Sequence, residues 1–140
     1  MARIAGVDYG LKRIGVAVSD VENSMAFPLG VVRHTSWGED AARLRGLLAP
    51  YGITRIVLGD PLLPNGERGA QSNETRGFGE RLAKEGFRVE YMEEVYSSME
   101  AFELLRDVGY NKKEVKRRID QSAAALILTR YINEHLKGNK

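Results

Sequence analysis

Arg3-Ile4-Ala5-Gly6-Val7-Asp8-Tyr9-Gly10-Leu11-Lys12-Arg13-Ile14-Gly15-Val16-Ala17-Val18-Ser19 decides the fold class. Arg3 to Asp8 reads as a strand apolar on both sides, hence central in a sheet. Arg13 to Ser19 alternates, with Ile14, Val16 and Val18 on one side and Gly15 and Ala17 on the other. Tyr9 to Lys12 is a tight turn, and Gly10 supplies its backbone freedom. Strands joined by so few residues must be antiparallel, because a parallel pair needs a long crossover.

Working outward, a third strand falls within Ala26 to Arg33, and then the apolar period changes. Ala41, Leu44, Leu47 and Leu48 follow helical spacing over Asp40–Leu48, and Pro50 and Gly52 end that helix. Arg55 to Gly59 is a short buried strand, and the stretch from Pro61 to Gly69 is rich in turn residues. A helix over Ala70–Lys84 stops at Gly86, and Phe87 to Met92 forms a fifth strand. Met99 to Val108 and Ile119 to Leu136 are the last two helices. The order β-β-β-α-β-α-β-α-α predicts an α/β fold. Its five-stranded mixed sheet has three antiparallel strands, then two parallel ones, with helices on both faces. No repeat or linker interrupts 1–140, so one domain is expected.

Composition narrows the function classes. The chain has 140 residues, 43% of them hydrophobic, no cysteine and a net charge of +2. Thiolate metal sites and disulfides are excluded, and no apolar run is long enough to span a bilayer. The N-terminus meets Asp8 before a signal-peptide core could form, and a cytoplasmic location is expected. Lys112, Lys113, Lys116, Arg117 and Arg118 crowd into seven positions. Such a cluster is either a solvated loop or a contact for phosphates.

Five carboxylates could carry chemistry. Asp8 ends a strand that otherwise reads as buried, so it must be paired, hydrogen-bonded to the next turn or bound to metal. Asp60 closes the fourth strand before Pro61, where it either starts a turn or adds a ligand. Glu93 and Glu94 follow the fifth strand, where parity assigns them to opposite sides but can break at a strand end, leaving open which one points at the site. Glu93 falls with Phe87, Val89 and Tyr91, and Glu94 with Arg88, Glu90 and Met92. Asp120 opens the last helix as a cap or, sharing a face with Ala124 and Ile127, as an inward-facing acid. Carboxylates gathered at carboxyl strand ends suit magnesium or manganese, and two such ions can assist displacement at a phosphodiester. His34 and His135 lack metal spacing and read as surface residues.

These segments together resemble the YqgF/RuvX family of bacterial Holliday-junction resolvases and pre-16S ribosomal RNA nucleases. Asp8-Tyr9-Gly10-Leu11-Lys12-Arg13-Ile14-Gly15-Val16-Ala17-Val18-Ser19-Asp20 is similar to the family's opening motif. Val57-Leu58-Gly59-Asp60-Pro61-Leu62 resembles its central stretch. Glu93-Glu94-Val95-Tyr96-Ser97-Ser98-Met99-Glu100-Ala101 resembles the segment usually written Asp-Glu-Arg-x-Thr-Thr-x-x-Ala. Asp120-Gln121-Ser122-Ala123-Ala124-Ala125-Leu126-Ile127-Leu128 resembles its last motif. The resemblance implies a ribonuclease-H-like fold with Asp8, Glu94 and Asp120 as metal-binding acids, Asp60 and Glu93 standing as further candidates. Val95 replaces the usual Arg, Glu93 the usual Asp, and Asp60 a residue that is usually not acidic.

The expected activity is a metal-dependent endonuclease processing the 5′ end of precursor 16S ribosomal RNA. The alternatives are a Holliday junction resolvase on branched DNA and a weakly catalytic nucleic-acid-binding protein. Lys12, Arg13, Arg68 and the Lys112–Arg118 cluster would contact backbone phosphates. Expected partners are structured RNA or branched DNA and ribosomal precursor particles, with no membrane, and the chain working as a monomer or homodimer.

Overall fold

A computed structural model describes residues 2–94 and 123–137. The strands are β1 (Ile4–Tyr9), β2 (Arg13–Ser19), β3 (Ala26–Arg33), β4 (Arg55–Pro61) and β5 (Arg88–Glu94). They form one sheet in the order β3-β2-β1-β4-β5, antiparallel on the β1–β2–β3 side and parallel through β1–β4–β5. The mixed sheet read from the sequence is therefore observed. The helix expected over Met99–Val108 lies outside the described residues.

Among the described residues, two helices cover one face. Helix α1 (Trp37–Leu48) starts three residues before the expected Asp40. Ser36 caps it, its Oγ accepting from the Glu39 N–H at 3.3 Å and donating to Glu39 Oε1 at 3.1 Å. This Ser-x-x-Glu start satisfies one of the backbone donors that the first helical turn leaves unpaired. Helix α2 (Ala70–Lys84) has the expected bounds, and Gly86 follows it at φ 104°. Ala41, Leu44, Leu48, Phe78 and Leu82 pack against Ala5, Val7, Tyr9, Ile14, Val16, Ile56 and Leu58.

The opposite face carries the C-terminal helix, helical over 123–131 and ending in a π-helical turn, Ile132–Lys137. Ala124, Ile127, Leu128, Tyr131 and Ile132 pack against Ile4, Ala17 and Val57. Glycines on two neighbouring strands allow this approach. A Cβ at Gly6 would lie 2.7 Å from Leu128 Cβ and 2.8 Å from the Ala124 carbonyl oxygen, and one at Gly59 would lie 2.4 Å from Ile127 Cδ1. Alternation along β1 thus assigns Ile4, Gly6 and Asp8 to the C-terminal helix side, and Ala5, Val7 and Tyr9 to the side of α1 and α2.

Candidate active site

Asp8 is half-buried near the end of β1, on the face of Gly6. Val7 pairs with Leu58, and Leu58 with Tyr91, so Asp8 is level with Gly59 and Met92. Glu94 ends β5 two residues further on, across β4, a lateral distance of about 10 Å from β1. Glu94 is 4% exposed and receives a hydrogen bond from Arg130 Nη1 of the C-terminal helix. That pairing places its carboxylate on the Asp8 face. A second ion pair joins β4 to β5, where Arg55 Nη2 donates to Glu90 Oε1 at 3.1 Å. The Tyr131 hydroxyl also donates to Glu90. Burial raises the Tyr131 phenol above its ordinary range, and its bond to Glu90 adds to that shift.

Glu93 has the opposite parity. Its side chain is 57% exposed and lies 4.0 Å from Arg68 Nη2. Parity at the strand end therefore holds, and Glu94, not Glu93, shares a face with Asp8.

Asp60 corrects the expectation that it supplements this set. It is fully buried on the side of α2, the sheet face opposite Asp8. Ser72 Oγ donates to Oδ1 at 2.5 Å, and Arg76 Nε and Nη2 donate to Oδ2 at 3.0 and 2.7 Å. Arg76 lies 4.3 Å from the centre of the Tyr91 ring. Asp60 is thus committed to an internal ion pair that fastens α2 to β4. Arg68, 52% exposed, stands 3.9 Å from Asp60 on the same side.

His34 is a second correction. It is partly buried, its Nδ1 lying 2.5 Å from Asp40 Oδ2 and 3.1 Å from the Tyr9 hydroxyl. Burial, then the Asp40 charge, pushes the Tyr9 phenol above its ordinary range. This cluster fastens β1 and the end of β3 to α1. His135 is exposed, with its ring 4.7 Å from that of Tyr131.

Lys12 is exposed in the β1–β2 turn, and Arg13 opens β2. Asp120 and the cluster Lys112, Lys113, Lys116, Arg117 and Arg118 lie outside the described residues. Among the described residues, no three His, Cys, Asp or Glu side chains stand together as a metal cluster. Arg130 is the partner that the sequence reading missed. Its signal was a cation three residues after Ile127, beside the apolar stripe Ala124, Ile127, Leu128 and Tyr131.

Residues 2–134 match the model of the family described as RuvX: Holliday junction resolvase. The chain belongs to this family. A RuvX relative from Lactococcus lactis subsp. lactis, named "Putative pre-16S rRNA nuclease", is 37% identical over 137 residues, covering 96% of each chain. One of the same name from Symbiobacterium thermophilum is 40% identical over 132 residues, covering 94% of this chain and 92% of its own. The T. thermophilus RuvC structure in complex with Holliday junction substrate superimposes with a TM-score of 0.56 over 96% of this chain and 97% of RuvC. At 16% identity, that likeness establishes the ribonuclease-H-like fold alone. RuvX membership makes the chain a nuclease of the hydrolase class.

Proposed function

We propose that this chain is a divalent-metal-dependent endonuclease that processes the 5′ end of precursor 16S ribosomal RNA. Asp8, Glu94 and Asp120 are its metal-binding carboxylates. The observation that carries the reading is the shared sheet face of Asp8 and Glu94 at the carboxyl ends of β1 and β5. The relatives' name for their own activity supports the RNA substrate.

The donor chemistry fits a hard cation. Both acids supply only oxygen, the chain contains no cysteine, and His34 is taken up by Asp40 on the α1 side of the sheet. A bound magnesium or manganese ion would supply charge stabilisation at the phosphodiester and an activated water. Arg130 anchors one Glu94 oxygen and so orients the carboxylate. Burial around Glu94 strengthens the electrostatic interactions its charge makes. The Lys112–Arg118 cluster supplies phosphate contacts that position substrate without reading sequence. The reading includes a cytoplasmic location and action on ribosomal precursor particles, as a monomer or a homodimer.

The second reading is Holliday junction resolution, which the family description favours. A labelled precursor 5′ leader and a labelled four-way DNA junction, each with magnesium or manganese, decide between the two. Asp8→Asn is expected to abolish cutting and retain binding. Cutting that survives chelation would overturn the metal mechanism. Binding with no cutting of either substrate would leave a binding protein, a result consistent with Arg130 occupying a Glu94 oxygen.

A further inference from the structure

The sheet face that carries Asp8 continues towards the β3 edge. One register row runs from Asp8 to Gly15 to Val31, and the next row on the same face pairs Arg13 with Arg33. Residues directly paired across strands share a face, so Val31, Arg13 and Arg33 stand on the Asp8 side. The Gly10 N–H donates to the Arg13 carbonyl at 2.9 Å, and the His34 N–H to the Lys12 carbonyl at 2.9 Å. These bonds fasten the β1–β2 turn to the end of β3. Around them opens a groove of about 700 Å³, lined by Leu11, Lys12, Arg13, Val31, Arg33 and His34.

Three of those six residues are cations and none is acidic. The acid behind His34, Asp40, is fully buried and also lies 3.2 Å from Arg43, so its charge is balanced inside the fold. Guanidinium and ammonium groups at the wall of a groove suit phosphate oxygens. Leu11, 76% exposed at the rim, offers an apolar surface to a sugar or base.

We propose that this groove is a phosphodiester subsite, holding the backbone of the substrate strand that leaves Asp8 towards β3, with Arg33 and Lys12 as phosphate contacts. The inference rests on the nuclease reading and adds the path of the strand. β3 lies two strand spacings from β1, about 10 Å. At roughly 3.4 Å of rise per nucleotide, the track spans about three nucleotides.

The test uses the full chain with chelator present, so that binding is read without cutting. Fluorescence anisotropy of the labelled leader RNA and the labelled junction is followed over a salt series. Arg33→Gln and Lys12→Gln are each expected to weaken binding about fivefold to tenfold. Each should flatten the slope of log affinity against log salt by about one. Arg33→Lys should restore part of the loss, and melting temperatures should stay at the wild-type value. Lys84→Gln, the same charge change at the far end of α2, should bind as wild type. Unchanged affinity and slope in both groove variants would overturn the subsite, as would an equal loss in Lys84→Gln. Wild-type protein that binds and cuts normally would confine that failure to the groove. Wild-type protein that neither binds nor cuts would remove the nuclease reading and the groove together.

Discussion

Arg130 donates through Nη1 to Glu94 and so ties the C-terminal helix to the last residue of β5. The acid is almost fully buried and the guanidinium is 37% exposed, so solvent tempers the pair from one side only. Removing one partner of such a pair leaves a buried charge poorly compensated. Arg130→Met is therefore expected to lower unfolding stability by about 1–2 kcal/mol. Combining it with Glu94→Gln should recover part of that loss, with a coupling of about 1 kcal/mol. Urea unfolding of the four proteins measures this, and additive effects would deny the interaction.

Asp60→Asn separates a structural acid from a metal ligand. Asp60 accepts three hydrogen bonds from Ser72 and Arg76 on the face away from Asp8. Its loss should destabilise the fold by about 2–4 kcal/mol, while manganese affinity measured by calorimetry stays unchanged. A weakened manganese isotherm with stability intact would make Asp60 a ligand.

Gly6→Ala should damage the protein more than Gly59→Ala. The new methyl at Gly6 meets the Ala124 carbonyl and Leu128 Cβ, groups close to or part of the helix backbone. At Gly59 it meets Ile127 Cδ1, the end of a side chain that can turn away. Expected losses are about 3 kcal/mol and about 1–2 kcal/mol, respectively. Ile127→Val should relieve the Gly59→Ala variant and leave Gly6→Ala unrelieved, as chemical denaturation would report.

Acid sensitivity should trace in part to Glu90. Burial opposes its charge, but the Tyr131 hydroxyl and the Arg55 guanidinium outweigh burial and hold its carboxyl below the ordinary value of 4.5. A depressed folded-state value gives stability that is present above the unfolded value and lost as pH falls through the folded one. Glu90→Gln should therefore be less stable at neutral pH. It should also lose less on acidification below about pH 5, so the two stability profiles converge. Parallel profiles would assign the acid loss to other groups.

Much of this arrangement was legible in the sequence because strands alternate strictly. The bounds of β2 and α2 follow from their apolar periods, whereas parity put Glu93 and Glu94 on opposite sides without deciding which one reaches the site. Asp60 resisted the same reading because its partners, Ser72 and Arg76, lie on a helix and become neighbours only when α2 packs. Their spacing of four residues on the stripe with Thr75 and Gly79 was the available sign. His34 was missed for a similar reason, since its partner Asp40 is buried by the fold rather than by local pattern. The early start of α1 was readable, because Ser36 and Glu39 have capping-box spacing and Trp37 stands four residues before Ala41.

The bare backbone at Gly6 and Gly59 makes the sheet a keyway for the C-terminal helix. Ala124 and Leu128 seat over β1, Ile127 seats over β4, and Arg130 then arrives at β5. Inserting one residue between Ile127 and Arg130 would turn the guanidinium by about 100° about the helix axis and away from Glu94. Over that interval the number of residues is constrained more tightly than their identities. Descendants of this sequence can vary the helix's outer surface, but they cannot change its length there without losing the ion pair.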